Sequence, residues 1–312
     1  MGIDSIVRII LSMGLPCCLL ALGVFLTFRI LDFADMTAEG SMLIGGAICG
    51  LLITKGAPAI LATFAGMLAG GLCGAVTGVL NRILKIPKLL SGIITMTACL
   101  SLALLIFGAA NNQMFAAKVD LSDCTTIFSF LDPKVFHGWQ EVIVTGVIAV
   151  VIICIVYFFF GTEYGMAIRA TGVNERMAKS QGINTTVTTI VCVSISNSLI
   201  GLAGSLFAQV NADFEATSAT GFLIVGLASI LIGETVFGKR SFKNSLISIC
   251  LGSILYFTII TVATETSEFW KRMSKLLYAI LIVLALCLPM AKAGIMKLIA
   301  KRKKEGESNV GA

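Results

Sequence analysis

The chain carries its apolar residues in runs too long for the core helices of a soluble protein. A bilayer core about 30 Å thick requires roughly 20 apolar residues per helix. Runs of about that length recur at about 9–28, 40–54, 58–81, 89–110, 141–161, 185–209, 219–236, 244–264 and 275–290. The composition agrees: 57% of residues are hydrophobic and 13% charged, against roughly 25% charged in a soluble domain. A membrane β-barrel would alternate in shorter segments, and no such alternation is visible. The predicted fold is an all-α polytopic membrane protein of about 8–10 transmembrane segments. The second and seventh runs are short and glycine-rich. They are doubtful as full crossings and read as well as half-helices or re-entrant segments, which membranes tolerate where they line a protein-walled cavity. The whole chain, 1–312, reads as a single transmembrane domain. Its extramembrane parts are loops at about 111–141 and 162–184 and a basic tail at about 291–312. Trp139 in "PKVFHGWQE" suits an interfacial helix at headgroup level.

The net charge of +6 is distributed as an orientation signal, which argues against a nucleic-acid partner. Arg82, Lys85 and Lys88 share one loop, Arg169, Arg176 and Lys179 another, and Lys239, Arg240 and Lys243 a third. Lys297, Lys301, Arg302, Lys303 and Lys304 fill the tail. These belong on the cytoplasmic face. Asp120, Asp123, Asp132, Glu141, Asp213 and Glu215 fall in the alternate loops. The map predicts an outside N-terminus, a cytoplasmic C-terminus and an odd number of crossings, with the N-terminus moving inside if one of the two short runs does not cross.

Nine of the ten cysteines lie in apolar runs, where Cys behaves as a small hydrophobe. Their spacing matches no zinc or redox motif. His137 is the single histidine, which excludes most hydrolytic constellations. "GETVFGKRS" places Gly233, Gly238 and Lys239 at P-loop spacing, but Arg240 replaces the Ser or Thr that would hold magnesium. A P-loop also follows a strand, and here an apolar run precedes it. No metal, cofactor, nucleotide site or enzymatic activity is expected in this chain.

Three polar or small-residue patterns stand out within the apolar runs. Gly66, Gly70, Gly74 and Gly78 fall on one helix face, the small-xxx-small pattern that lets helix backbones approach closely. "FRILDFADMTAEGSM" puts Arg29, Asp32, Asp35 and Glu39 between the first two runs, where acids are costly unless they face water or a partner. Thr37, Glu39 and Ser41 are therefore candidate lining of a polar path, with a solvated turn as the plainer reading. Asn197 and Ser198, in "SISNSLIGLAGSLFAQ", read equally as path lining or as interhelical glue.

The most polar patterned stretch is "TGVNERMAKSQGIN". Gly172 and Gly182 bracket a predicted helix of two to three turns. Asn174 is a suitable N-cap, and Glu175 near the start and Lys179 near the end both favour the helix dipole. Val173 and Met177 project from one side with Ala178 beside them, ringed by Asn174, Glu175, Arg176 and Lys179. A helix resting on headgroups would want Leu, Phe or Trp on its apolar side. A small knob with a charged rim fits a protein partner better.

These residues resemble a known family. "GTEYGMAIRATGVNERMAKSQGIN…SISNSLIGLAGSLFAQ" is similar to the cytoplasmic loop and following span of permease subunits of bacterial ABC importers for branched-chain amino acids and, more distantly, ribose. Thr162, Gly165, Arg169, Ala170, Gly172 and Asn174 match the family pattern, as do Ala178, Gly182, Ile183 and Gly201 to Gly204. The resemblance implies a type II importer-like fold in the bacterial cytoplasmic membrane. It implies that Val173, Asn174, Glu175, Arg176, Met177, Ala178 and Lys179 form the helix coupling this chain to cytoplasmic ABC ATPase subunits. ATP and magnesium would be bound by those subunits. The implied assembly holds two permeases, expected as a homodimer, with an extracellular substrate-binding lipoprotein delivering an amino acid. "DFAD" stands where relatives carry "NFAH", and "IGETVFGKRS" where they carry a glycine/serine-rich turn, so the chain sits in a divergent branch. A hydrophobic or aromatic amino acid is the favoured substrate. The alternatives are a permease for a sugar or nucleoside, or a secondary transporter working alone. The last predicts an inverted repeat and an intramembrane ion site; the sequence shows neither a convincing repeat nor a mid-span acid.

Overall fold

The structure is a computed structural model. It describes residues 3–122, 124–130, 138–238, 241–266, 269–270, 273, 276–284 and 287. Helix α1 is Ile3–Phe25, continued by a π-helical turn at Leu26–Ile30. Then come α2 (Thr37–Thr54), α3 (Ala59–Arg82), α4 (Lys88–Ala110), strand β1 (Lys118–Asp120) and a 3-10 turn at Ile127–Phe130. They are followed by α5 (Gln140–Phe159), α6 (Glu163–Val173), α7 (Glu175–Ser180), α8 (Thr185–Asn211), β2 (Asp213–Glu215), α9 (Phe222–Phe237) and α10 (Phe242–Thr266). Among the described residues, seven helices are long and apolar enough to cross a membrane, and α9 is a shorter apolar helix. The second predicted run is thus long enough to cross, whereas the seventh is not. Of the predicted ninth run, residues 276–284 and 287 are described and helical, whereas the interfacial helix lies largely outside the described residues, as do Lys239, Arg240 and the tail.

Helix α8 is the hub, packed on α1, α2 and α3, while α2 also packs on α4 and α1 on α10. Small residues make this approach possible. A Cβ on Gly78 would sit 3.0 Å from the Ile190 Cα, and one on Gly74 2.7 Å from the Asn197 Cβ. Gly70 lies against the backbone of Asn197 and Gly201, and Gly66 against Ser205 and Gly45. All four glycines of the stripe therefore face α8, and Gly45 of α2 enters the same seam. Helix α5 is peripheral and largely exposed, as a lipid-facing helix should be.

The ends of the bundle differ in charge. At one end, here the basic face, lie Arg82, Lys88, the 162–184 segment and Lys243. At the other, here the hairpin face, β1 and β2 pair antiparallel with Val119 opposite Phe214. Both side chains are fully buried. Phe214 presses on Gly46 and Val119 on Gly50, so this two-stranded ribbon seals the half of α2 nearest the hairpin face.

Cysteine departs from expectation at one place. Cys18 of α1 and Cys250 of α10 have Cα atoms 4.8 Å apart and their sulfurs are joined. Other cysteines, such as Cys17, Cys49 and Cys192, are buried free thiols.

Candidate functional site

The polar loop at the basic face is two helices, α6 of 11 residues and α7 of 6, bounded differently than predicted. Thr162 caps α6 by accepting from the Gly165 amide, and Asn174 caps α7 by accepting from the Met177 amide at 3.0 Å. Gly172 does not end a helix. It lies inside α6 with its Cα against the Ile30 carbonyl, where any Cβ would collide. The break falls at Asn174, whose extended backbone separates α6 from the six-residue α7. Gly182, at φ +82°, does end the unit. The left-handed turn costs glycine no Cβ strain and lets the Ile183 amide return to the Ala178 carbonyl at 3.1 Å.

That return corrects one assignment. Val173 is 85% exposed and Met177 51% exposed, but Ala178 is 0% exposed. The apolar knob is Val173 and Met177, and Ala178 holds the turn from inside.

The rim is tied to the bundle. Glu175 accepts from Arg82 at the end of α3 at 2.7 Å and pairs with Lys179 at 3.0 Å. Thr185, at the start of α8, donates to the same carboxylate at 3.4 Å. Burial pushes the Glu175 carboxyl up, but hydrogen bonds from Lys179 and Arg82, with their positive charge, outweigh it and hold the group below its ordinary value. Lowered in the folded state, it contributes stability above the ordinary value of 4.5 that is lost as pH falls through the folded value. The loop is therefore insensitive to pH near neutrality and loosens only in acid. Glu175→Gln strips the carboxylate from Arg82, whose side chain is 15% exposed. A partly exposed pair is worth about 1 kcal/mol or less, so trypsin cleavage at Arg176 and Lys179 should rise about severalfold. Glu175→Asp, which keeps the charge and adds no tryptic site, should retain more protection than Glu175→Gln, as timed digestion of the purified protein would show.

Arg169 braces the loop from the other side. Its guanidinium lies 4.4 Å from the Phe242 ring centroid and 5.8 Å from that of Phe160, and it donates to the Phe160 carbonyl. Stacking of this kind is favoured for Arg because its planar cation is weakly hydrated.

The residues read as path lining divide. Thr37, Ser41 and Asn197 are 0% exposed, which removes them from an open path in this conformation. Thr37 shares a hydrogen bond with Thr77 at 2.6 Å, and Ser41 reaches the Gly70 carbonyl at 3.5 Å. Asn197 donates to Asp35 at 2.6 Å and to the Val193 carbonyl at 2.9 Å. Asp35 also accepts from the Thr37 amide at 2.9 Å, and Leu31, Phe33 and Asp35 are buried while Asp32 stays exposed, so the connection turns inward and α2 starts below the basic face. Asp35 is a buried acid that the sequence reading placed between spans without a partner. The available signal was an Asp and an Asn that would each be costly in a membrane unless paired. Glu39 and Ser198 keep partial exposure. Glu39 accepts from the Gly221 amide at 2.9 Å and from the Leu223 amide, capping α9.

This architecture defines a multi-pass helical membrane protein, glycine-packed around one hub helix, with a capped polar loop at its basic face. The family model described as branched-chain amino acid transport system / permease component matches residues 6–286, and the chain belongs to that family. It is 37% identical over 253 residues to the tyrosine transport system permease protein of Clostridioides difficile (strain R20291), covering 80% of each chain. It is 28% identical to the probable branched-chain amino acid transport permease protein LivH of Methanocaldococcus jannaschii, covering 73% of this chain and 72% of the relative. It is 21% identical to the ribose import permease protein RbsC of Escherichia coli (strain K12), covering 80% and 72%. No solved structure matches the chain.

Proposed function

We propose that this chain is the membrane permease of an ATP-driven amino-acid importer, working with separate ATPase subunits and a binding protein. The observation that carries the reading is the family match across residues 6–286. An aromatic amino acid is the inferred cargo, supported by the 37% identical tyrosine permease. The gathering of Arg82, Lys88, Arg169, Arg176 and Lys179 at one face supports a cytoplasmic position for that face. The N-terminus then lies outside and the C-terminus inside. Two copies pair around a central path. The partner ATPase seats Val173 and Met177 in a groove, and its closure pulls α7. Arg82–Glu175 passes the pull to α3, and Gly172 against Ile30 passes it to α1. The ATPase supplies all nucleotide chemistry, while this chain forms the path. In the complex reconstituted in liposomes, tyrosine-loaded binding protein should raise ATP hydrolysis and drive tyrosine accumulation. Accumulation driven by an ion gradient without ATP would overturn the reading in favour of a secondary transporter.

A further inference from the structure

Resting on that function, we propose that Glu39 is the carboxylate that receives the ammonium group of the amino acid on the path shared by two copies. Helix α9 is pinned near the basic face by the Glu234–Arg29 ion pair at 2.7 Å. Gly221 lies thirteen residues before Glu234, about 20 Å of helix at 1.5 Å per residue. Glu39, bonded to the Gly221 amide, therefore sits near the middle of the apolar layer, yet it stays partly exposed. A carboxylate at that depth is costly against lipid and belongs beside water or a charged partner. Among the described residues no cation pairs with it.

From the hairpin face, Glu215, Thr217 and Thr220 are exposed, and the chain then reaches Gly221 beside Glu39. Phe214, just before this strip, packs on Gly46, two turns further toward the hairpin face than Glu39. A polar, exposed strip thus descends from the hairpin face to a carboxylate midway through the layer. An amino acid crossing as a zwitterion carries a cation that must be met in this desolvated region, and a carboxylate supplies a charge-assisted hydrogen bond.

The test uses the full complex with its binding protein and radiolabelled tyrosine. Glu39→Gln keeps an oxygen that can accept from the Gly221 amide, so the α9 cap is retained while the charge is lost. Uptake should fall about tenfold or more, as expected when a charge-assisted pair becomes neutral, while binding-protein-stimulated ATP hydrolysis persists. Glu39→Asp should retain more uptake than Glu39→Gln. In parallel, Glu39→Cys should react with an impermeant cationic methanethiosulfonate added at the hairpin face, above the rate of the unsubstituted chain, with tyrosine slowing it. Wild-type uptake by Glu39→Gln, or no added reactivity at Glu39→Cys, overturns the proposal. Failure of the unsubstituted complex to import tyrosine counts against the tyrosine-import reading instead.

Discussion

Val173→Asp combined with Met177→Asp should leave a permease that inserts and folds yet no longer answers its ATPase. Both side chains are exposed in the isolated chain, at 85% and 51%, so neither supports the bundle. Seated in a partner groove they would be the desolvated centre of a small interface. Central anchors of that kind contribute about 2 kcal/mol or more each. Two buried carboxylates would add a desolvation penalty to that loss. Uptake should drop about a hundredfold, and hydrolysis should lose its dependence on binding protein. Membrane insertion and melting temperature of the purified permease should stay near wild type. Ala178→Asp offers the contrast: Ala178 is fully enclosed, so that change should damage the loop itself and lower stability. Normal import by the Val173/Met177 double variant would remove the docking role from α7.

Gly70→Leu should prevent the bundle from closing. A Cβ at Gly70 would lie 2.8 Å from the Gly201 Cα and nearer still to the Asn197 carbonyl. The colliding atoms are backbone, so no rotamer change relieves them. Overpacking a tight core usually costs about 1–3 kcal/mol. Here a larger side chain separates α3 from the hub helix along the seam that also buries Asp35, Asn197 and Ser205. We expect little folded protein by size-exclusion chromatography in detergent, with the remainder melting well below wild type. Gly146→Ala is the control. Its Cβ would meet only the Leu15 side chain, at 3.7 Å, an ordinary contact, and it should fold normally.

The glycine stripe and the α7 caps were legible because each depends on neighbours within one or two turns. Gly66, Gly70, Gly74 and Gly78 share a face by spacing alone, and Asn174 caps because its side chain reaches the amide three residues on. The partners of Asp35 and Glu39 were not legible. Asn197 lies 162 residues from Asp35 and Gly221 lies 182 from Glu39. No periodicity encodes such pairings. Gly172 and Ala178 were misread for a related reason. Whether a glycine ends a helix or admits a neighbour's carbonyl depends on what approaches it, here Ile30. Whether Ala178 faces out depends on the turn-back through Gly182.

The sequence by itself determined that this chain crosses a membrane as helices, which face is basic and where the polar loop lies. Those follow from solvent preference and from local hydrogen bonding, both set residue by residue. Only the tertiary structure decided which polar groups are sealed between helices and which stay exposed. That distinction separates Asp35 and Asn197, buried against each other, from Glu39, left partly open at the start of α9. Its physical reason is that a buried polar group's free energy is set by the partner it finds.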